Sequence, residues 1–272
     1  MSLTPQHFER AAAAEASQLR MMRLQRMRCH ELHTLLSGDP AEAAPWIRSA
    51  AQYGLPAAQL RLGRMLLAGS GVARDESEAC RWFRRAAGQG DAEAMNMLGR
   101  CHENGWGTAA DLAQAAACYR RSAEREHDWG EYNLGNLLFD GRGIAQDLVQ
   151  ALYWYLRAAV QGHARAMNLA GRCLEEGWGC ARDLAGAADW YRRSAESGYF
   201  RGQFNYALVL AEQRAVSEAA EWFWRAAQGG DGPIRRAICA LLAASSDPRL
   251  SRTRLQVAAL MVSDRKLPQI AR

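Results

Sequence analysis

Residues 69–75, GSGVARD, bring two glycines and a small hydroxyl side chain together, the makeup of a loop that cradles phosphate on backbone N–H groups. Such a loop needs a lysine directly after its last glycine, and the chain's only lysine is Lys266, far away in DRKLP. The frame also returns as GWGTAAD at 105–111, GRGIAQD at 141–147 and GWGCARD at 177–183. A nucleotide site is built once in a domain, so a loop in four copies reads as a structural joint. The scarcity of lysine also argues against Schiff-base chemistry. Two further groups could do chemistry. Cys29, His30 and His33 in CHELH fit one helix face and could hold a metal ion, but no second cluster completes a coordination shell. Cys101 beside His102 suggests a nucleophile and its base, yet adjacent helical residues diverge by about 100° and do not meet. With no HExxH and no G-x-S-x-G either, the expectation is a non-enzyme with no catalytic residue, no metal, no cofactor and no small-molecule substrate.

The elements that would position any site follow from self-similarity. Gly54, Gly90, Gly162 and Gly198 fall on one lattice of 36 residues, with Glu126 at the missing node. Gly63, Gly99, Gly135 and Gly171 form a second column, Asp75, Asp111, Asp147 and Asp183 a third, and Trp82, Cys118, Trp154 and Trp190 a fourth. Apolar residues recur at helical steps before each loop and again after it. A first helix A is predicted over about 56–68, ended by Gly69 in the left-handed conformation. A helix B is predicted over about 76–89, capped by Asp75, with Glu78, Gln114 or Gln150 completing a capping-box-like pair in three copies. Gly63 and the alanine columns let the two helices approach closely, and the tryptophan fills the gap between neighbouring hairpins. A hairpin of this size cannot bury its face alone, so copies must stack.

Composition agrees with a folded chain: 272 residues are 49% hydrophobic with a net charge of +5. The basic character sits at the ends, with five arginines against three glutamates over 1–36 and eight basic residues against two aspartates over 235–272. Seven cysteines, an odd count without C-x-x-C, read as reduced and mostly buried thiols. No export signal and no apolar run of roughly 20 residues is visible, so a cytoplasmic location is expected. The near-exclusive use of arginine over lysine hints at a GC-rich, bacterial genome.

The pattern L-G-x(5)-G-x-G-V-x-x-D-x(3)-A-x-x-W-x(3)-A-A-x-x-G resembles the Sel1-like repeat, a relative of the tetratricopeptide repeat. Four copies match, at 55–90, 91–126, 127–162 and 163–198. A half repeat at 38–54 precedes them, and a copy at 199–230 has lost about four residues and both loop glycines. The resemblance implies an all-α, right-handed α-solenoid of antiparallel helix pairs that binds other proteins and is usually not an enzyme. Residues 1–37 then form an N-terminal helical cap, and 231–272 a C-terminal helical cap whose tail, SDRKLPQIAR, is expected to be disordered. Secreted members of the family can place a Cys pair in each repeat; here Ala87, Ala123, Ala159 and Ala195 occupy the first position of that pair.

Copies two and four agree at 23 of 36 positions, whereas copies two and three agree at 12. Duplication of a two-repeat unit explains this, as would alternate repeats presenting the same side chains to an extended partner. With 94, 98, 101 and 102 assigned to the core, the opposite face of helix A carries three rows: Arg64, Arg100, Asn136 and Arg172; Asn96, Tyr132, Asn168 and Phe204; and Glu93, Trp129, Arg165 and Arg201. In related solenoids the A helices line the concave side, so these twelve residues are the candidate partner-binding face. Forked donors, flat apolar rings and side-chain amides suit a peptide groove. Trp106 and Trp178 are either exposed anchors or folded back on neighbouring turns. The leading expectation is a protein-binding or peptide-binding adaptor. The alternative is nucleic-acid or acidic-membrane binding through Arg235, Arg236, Arg249, Arg252 and Arg254.

Overall fold

The computed structural model describes the backbone of residues 5–266 and the side chains of 14–262 except 29, 32 and 33. Among the described residues the chain is all α-helical, with fifteen helices and no strand. It falls into two compact units, one running to Gly130 and including Arg142–Ala145, the other comprising Glu131–Gly141 and everything described from Gln146 onward. In unit one, α1 (Pro5–Leu24) and α2 (Cys29–Ser37) both pack on α3 (Pro40–Gln52). From there α4 (Pro56–Ala68), α5 (Glu76–Gly88), α6 (Ala92–Asn104) and α7 (Leu112–Ala123) each pack on the helix before. Helix α8 (Asp128–Asp140) runs through the division. In unit two, α9 (Leu148–Val160), α10 (Ala164–Glu176), α11 (Leu184–Glu196), α12 (Phe200–Glu212) and α13 (Val216–Gly229) continue the pairing. The final pair, α14 (Gly232–Ala243) and α15 (Pro248–Lys266), closes on α13.

The repeated loop is the joint its glycines suggested. Gly69, Gly105 and Gly177 end α4, α6 and α10 at φ of 69°, 74° and 74°, where a side chain would be strained, and their N–H groups bond to carbonyls four residues back. The aspartates cap helix B as expected: Asp75, Asp111, Asp147 and Asp183 each accept the backbone N–H three residues on. The reciprocal half of the capping box is absent, and the reason is visible. The N–H groups of Asp75, Asp111 and Asp147 already donate to Leu66, His102 and Leu138, binding the loop to the end of helix A, so Glu78 turns instead to Arg48 and Trp82. At the 36-residue lattice, Gly54, Gly90, Gly162 and Gly198 have φ of 84° to 97°, and Glu126 takes the same left-handed turn at 59°.

Close approach of helices A and B rests on a column one residue beyond the tryptophans. Phe83, Tyr119, Tyr155, Tyr191 and Phe223 are all at most 1% exposed. A Cβ at Gly99 or Gly135 would lie 2.6 Å from the ring of Tyr119 or Tyr155, and at Gly171 it would lie 2.8 Å from Tyr191. The buried hydroxyls are satisfied by Glu103 (2.7 Å), Asn136 (2.9 Å) and Glu175 (2.5 Å) respectively. The tryptophans flank this core, Trp82 buried and Trp154 and Trp190 half-buried, with Arg85, Arg157 and Arg193 stacked on their outer faces at 4.3–5.4 Å.

One residue shared by copies two and four, the serine at 122 and 194, has a packing cause. Where one helix B meets the following helix A, Ala86 is paired with Ala94 and Ala158 with Ala166, all four fully buried. In the alternate copies Ser122 and Ser194 replace the first alanine, donating 2.7 Å bonds to the Ala92 and Ala164 carbonyls. The following helix then carries Gly130 or Gly202, where a Cβ would stand 2.6 Å from the serine Cβ. Volume added on one helix is removed from the next.

The shortened copy turns in three residues, 213–215, with Arg214 at φ 62°. Beyond it, Ile238, Leu242, Leu250 and Val257 of the last two helices join Phe223 in one buried cluster. Helix α15 extends to Lys266, so the first part of the expected disordered tail is helical; residues 267–272 lie outside the described residues.

The exchange is testable by a double-mutant cycle followed by urea denaturation. Gly202→Ala alone should destabilise by about 1–3 kcal/mol through overpacking. Adding Ser194→Ala recreates the Ala158–Ala166 pairing and should recover much of that loss, with a coupling of about 0.5–3 kcal/mol. Additive effects would show that the alternation is not a volume exchange.

Candidate functional site

In unit one most of the predicted face is spent on internal contacts. Arg64 forms an ion pair with Glu93. The Arg100 guanidinium lies 5.0 Å above the ring of Trp106, which packs against the unit's core. Asn96 is only 4% exposed and Met97 is buried beside it, which corrects the assignment of that row to an open face. A helix in a stacked layer is covered on more than one side, so the strip left to solvent is narrower than a simple opposite face. Trp129 is 41% exposed.

Unit two differs. Around a cavity of about 500 Å3 it gathers Tyr132, Arg165, Asn168, Arg172, Arg201 and Phe204, six of the residues predicted for the partner face. Helices α10 and α12 supply most of them, one turn apart, because the repeat puts equivalent positions side by side. Asn168 is 4% exposed and accepts a 2.8 Å bond from Asn205, so it belongs to the floor and not to a solvated face. Tyr132 stacks on His163 with centroids 4.6 Å apart, and Phe204 meets Phe223 edge-on at 5.9 Å. Arg165, Arg172 and Arg201 lie over Tyr199, Trp178 and Phe200 at 5.9, 5.3 and 5.8 Å. Asn136, in the same row as Arg172, is half-buried and accepts the Tyr155 hydroxyl.

The remaining lining was not foreseen: Tyr199 and Phe200 at the start of α12, Asn205, and Asp231, Pro233 and Ile234 at the start of α14. Tyr199 carried a readable signal, since it stands where Asp91, His127 and His163 have a side chain able to cap helix A. Tyr199 makes no such cap and faces the cavity instead. The contribution of α14 depends on how the terminal pair folds back, which no repeat column encodes. Trp106 and Trp178 fold back, as one of the two readings had it, and Trp178 also meets Phe139 edge-on at 5.1 Å.

The chemical constellations weaken in three dimensions. Cys101 is fully buried, and its thiol is pushed up by its hydrogen bond with Cys80 and by burial, which opposes a nucleophilic thiolate. His102 is half-buried and its imidazole is lowered, chiefly by burial. Burial pushes the Cys173 thiol up to about 12. The side chains of Cys29 and His33 lie outside the described residues; among those described, no group of three or more His, Cys, Asp or Glu could hold a metal ion. In the basic terminal pair, Arg235 donates to the Ala227 carbonyl at 2.7 Å, and Arg249 pairs with Asp247 and with Ser217, each at 2.8 Å.

The sequence profile of the Sel1 repeat matches residues 56–91, 92–127, 130–163, 164–199 and 213–231, more than half of the chain. The chain belongs to the Sel1 repeat family. The last match covers only helix B of the shortened copy, whose helix A has lost its loop glycines. Among solved structures, a Sel1 repeat protein from Oxalobacter formigenes is 26% identical with a TM-score of 0.73, over 84% of this chain and 97% of that one. A protective antigen from uropathogenic Escherichia coli strains, described as displaying an SLR fold, shares the fold at 24% identity and a TM-score of 0.72. The match covers 93% of this chain but only 55% of the antigen. No curated protein matches the chain. No described helix is long and apolar enough to cross a membrane.

The His127 cap links the stability of this Sel1 chain to pH. His127 Nδ1 accepts the Gly130 N–H at 3.2 Å, which requires a neutral ring nitrogen. Its pKa is lowered, first by burial; Arg64 adds to this, and Asp128 and Asp91 oppose it. As pH falls, the unfolded chain therefore takes up the proton first. Stability is complete above the unfolded histidine value of about 6.5 and declines as pH drops toward the folded one. Melting curves between pH 7.5 and 5 should show this decline. His127→Asn, which keeps an acceptor without titrating, should flatten part of it, while His127→Ala should cost about 0.5–2 kcal/mol already at neutral pH.

Proposed function

We propose that this chain is a non-catalytic scaffold that captures a protein partner in the groove of unit two. Sel1 repeat proteins are commonly protein-interaction scaffolds, which gives the class. The observation that carries the site is the cavity between α10, α12 and α14, where arginines and aromatic rings converge with the amide pair of buried Asn168 and half-buried Asn205. Arg and aromatic side chains around a partly apolar hollow are the residues that anchor protein interfaces. The non-catalytic reading is supported by Cys101 and Cys173, which are buried with their thiols pushed up, and by the burial that lowers the imidazole of His102. The competing reading, a basic C-terminal surface, is weakened because Arg235 and Arg249 are engaged within the fold.

Truncation after Gly230 cannot separate these readings, since it would remove a wall of the groove and uncover Phe223. Substitutions can. The intact chain, a groove variant (Arg172→Ala with Arg201→Ala) and a terminal-pair variant (Arg236→Gln with Arg252→Gln) would serve as baits in a lysate of the source organism. All four arginines are exposed, so helicity should be unchanged and stability should stay within about 0.5 kcal/mol. A protein captured by the intact chain should fall at least about tenfold with the groove variant, a loss of about 1.4 kcal/mol, and persist with the terminal-pair variant. The reverse pattern would move the function to the C-terminal helices.

A further inference from the structure

We propose that the groove of unit two takes an acidic peptide segment in extended conformation, with carboxylates flanking one apolar side chain. The inference rests on the scaffold reading and deepens it. Charge comes first: Arg165, Arg172 and Arg201 border the cavity against the single carboxylate of Asp231. Among the described residues Arg172 and Arg201 have no carboxylate within ion-pair distance, in contrast to Arg64 of unit one, which Glu93 neutralises. Arg172 and Arg201 lie over the rings of Trp178 and Phe200, and the N–H donors of a guanidinium suit a forked carboxylate contact.

The floor matches a peptide main chain. Asn168 and Asn205 are joined through one amide bond at 2.8 Å, which leaves the N–H donors of Asn168 and the carbonyl of Asn205. A peptide unit offers the complementary acceptor and donor. Between these polar groups, Phe204 and Ile234 form an apolar wall able to cover one aliphatic or aromatic side chain. Asp231 discriminates against a nucleic-acid strand. It stands at the rim as the cap of α14, and a phosphodiester chain brings only negative charge and acceptors there, whereas a peptide also brings N–H donors.

The test uses the purified full-length chain and three fluorescein-labelled nonapeptides, each with a central leucine flanked on both sides by two glutamates, two glutamines or two lysines. A labelled oligothymidine of similar length is the fourth probe. Binding is read by fluorescence anisotropy at low and high salt. The glutamate peptide should bind at least about tenfold more tightly than the glutamine peptide, with the preference weakening as salt rises. Arg165→Gln with Arg172→Gln and Arg201→Gln should abolish the preference, while Arg64→Gln should leave it intact; circular dichroism verifies that each variant is folded. Equal binding of glutamate and glutamine peptides, still lost on Phe204→Ala, would overturn the acidic specificity and leave the groove as a protein site. A preference for oligothymidine would overturn the peptide and reassign the arginines to phosphate. No binding of any probe at about 1 mM, the limit of weak association, would overturn both the specificity and the groove.

Discussion

Two helices can lie against each other only as closely as the side chains between them allow, and in this chain that distance is set by a glycine under an aromatic ring. Gly99 beneath Tyr119, Gly135 beneath Tyr155 and Gly171 beneath Tyr191 leave no room for a Cβ. The ring is fully buried and its hydroxyl reaches a polar partner near the end of helix A, so a single contact fixes both the spacing and the rotation of the pair. The left-handed glycine ending helix A and the aspartate opening helix B only connect two helices already held at that separation. A hairpin built this way still exposes one apolar side, which explains why the copies stack and why α14 and α15 must close the last one.

Stacking repeats the same demand between copies, and there the chain uses two solutions. Alanine facing alanine and serine facing glycine occupy similar combined volume, and the serine hydroxyl gains a carbonyl partner on its own hairpin. The alternation of serine with alanine at this contact therefore follows from packing. Much of the shared surface of copies two and four is likewise internal, since the arginine of each stacks on the tryptophan of its own loop.

Functional character then depends on what remains after these internal contacts are made. In unit one Arg64 and Glu93 neutralise each other. In unit two the shortened copy brings an aromatic pair, Tyr199 and Phe200, and α14 brings Asp231, so that arginines at repeat-equivalent positions border a hollow in place of a paired carboxylate. The proposed site lies where the repeat pattern breaks, at the junction of a degenerate copy with the terminal helices.

Helix positions, joints, caps and the family were legible in the sequence because each depends on local backbone requirements repeated on a fixed period: a glycine where φ must be positive, an aspartate where N–H groups need an acceptor, alanine where helices touch. Three matters belonged to the tertiary structure. The aromatic that packs over glycine is the residue after the tryptophan, a choice of rotation that adjacent apolar positions leave open. Asn96 and Asn168 are buried because neighbouring helices cover more than one side of α6 and α10. The groove itself needs α14 folded against α13, a contact between non-equivalent segments that follows from the burial of Ile238 and Leu242 with Phe223 and from no repeating pattern. Sequence determined what recurs, because periodic residues meet periodic surroundings; the fold decided what does not, because a site at the end of an array is built from neighbours that occur once.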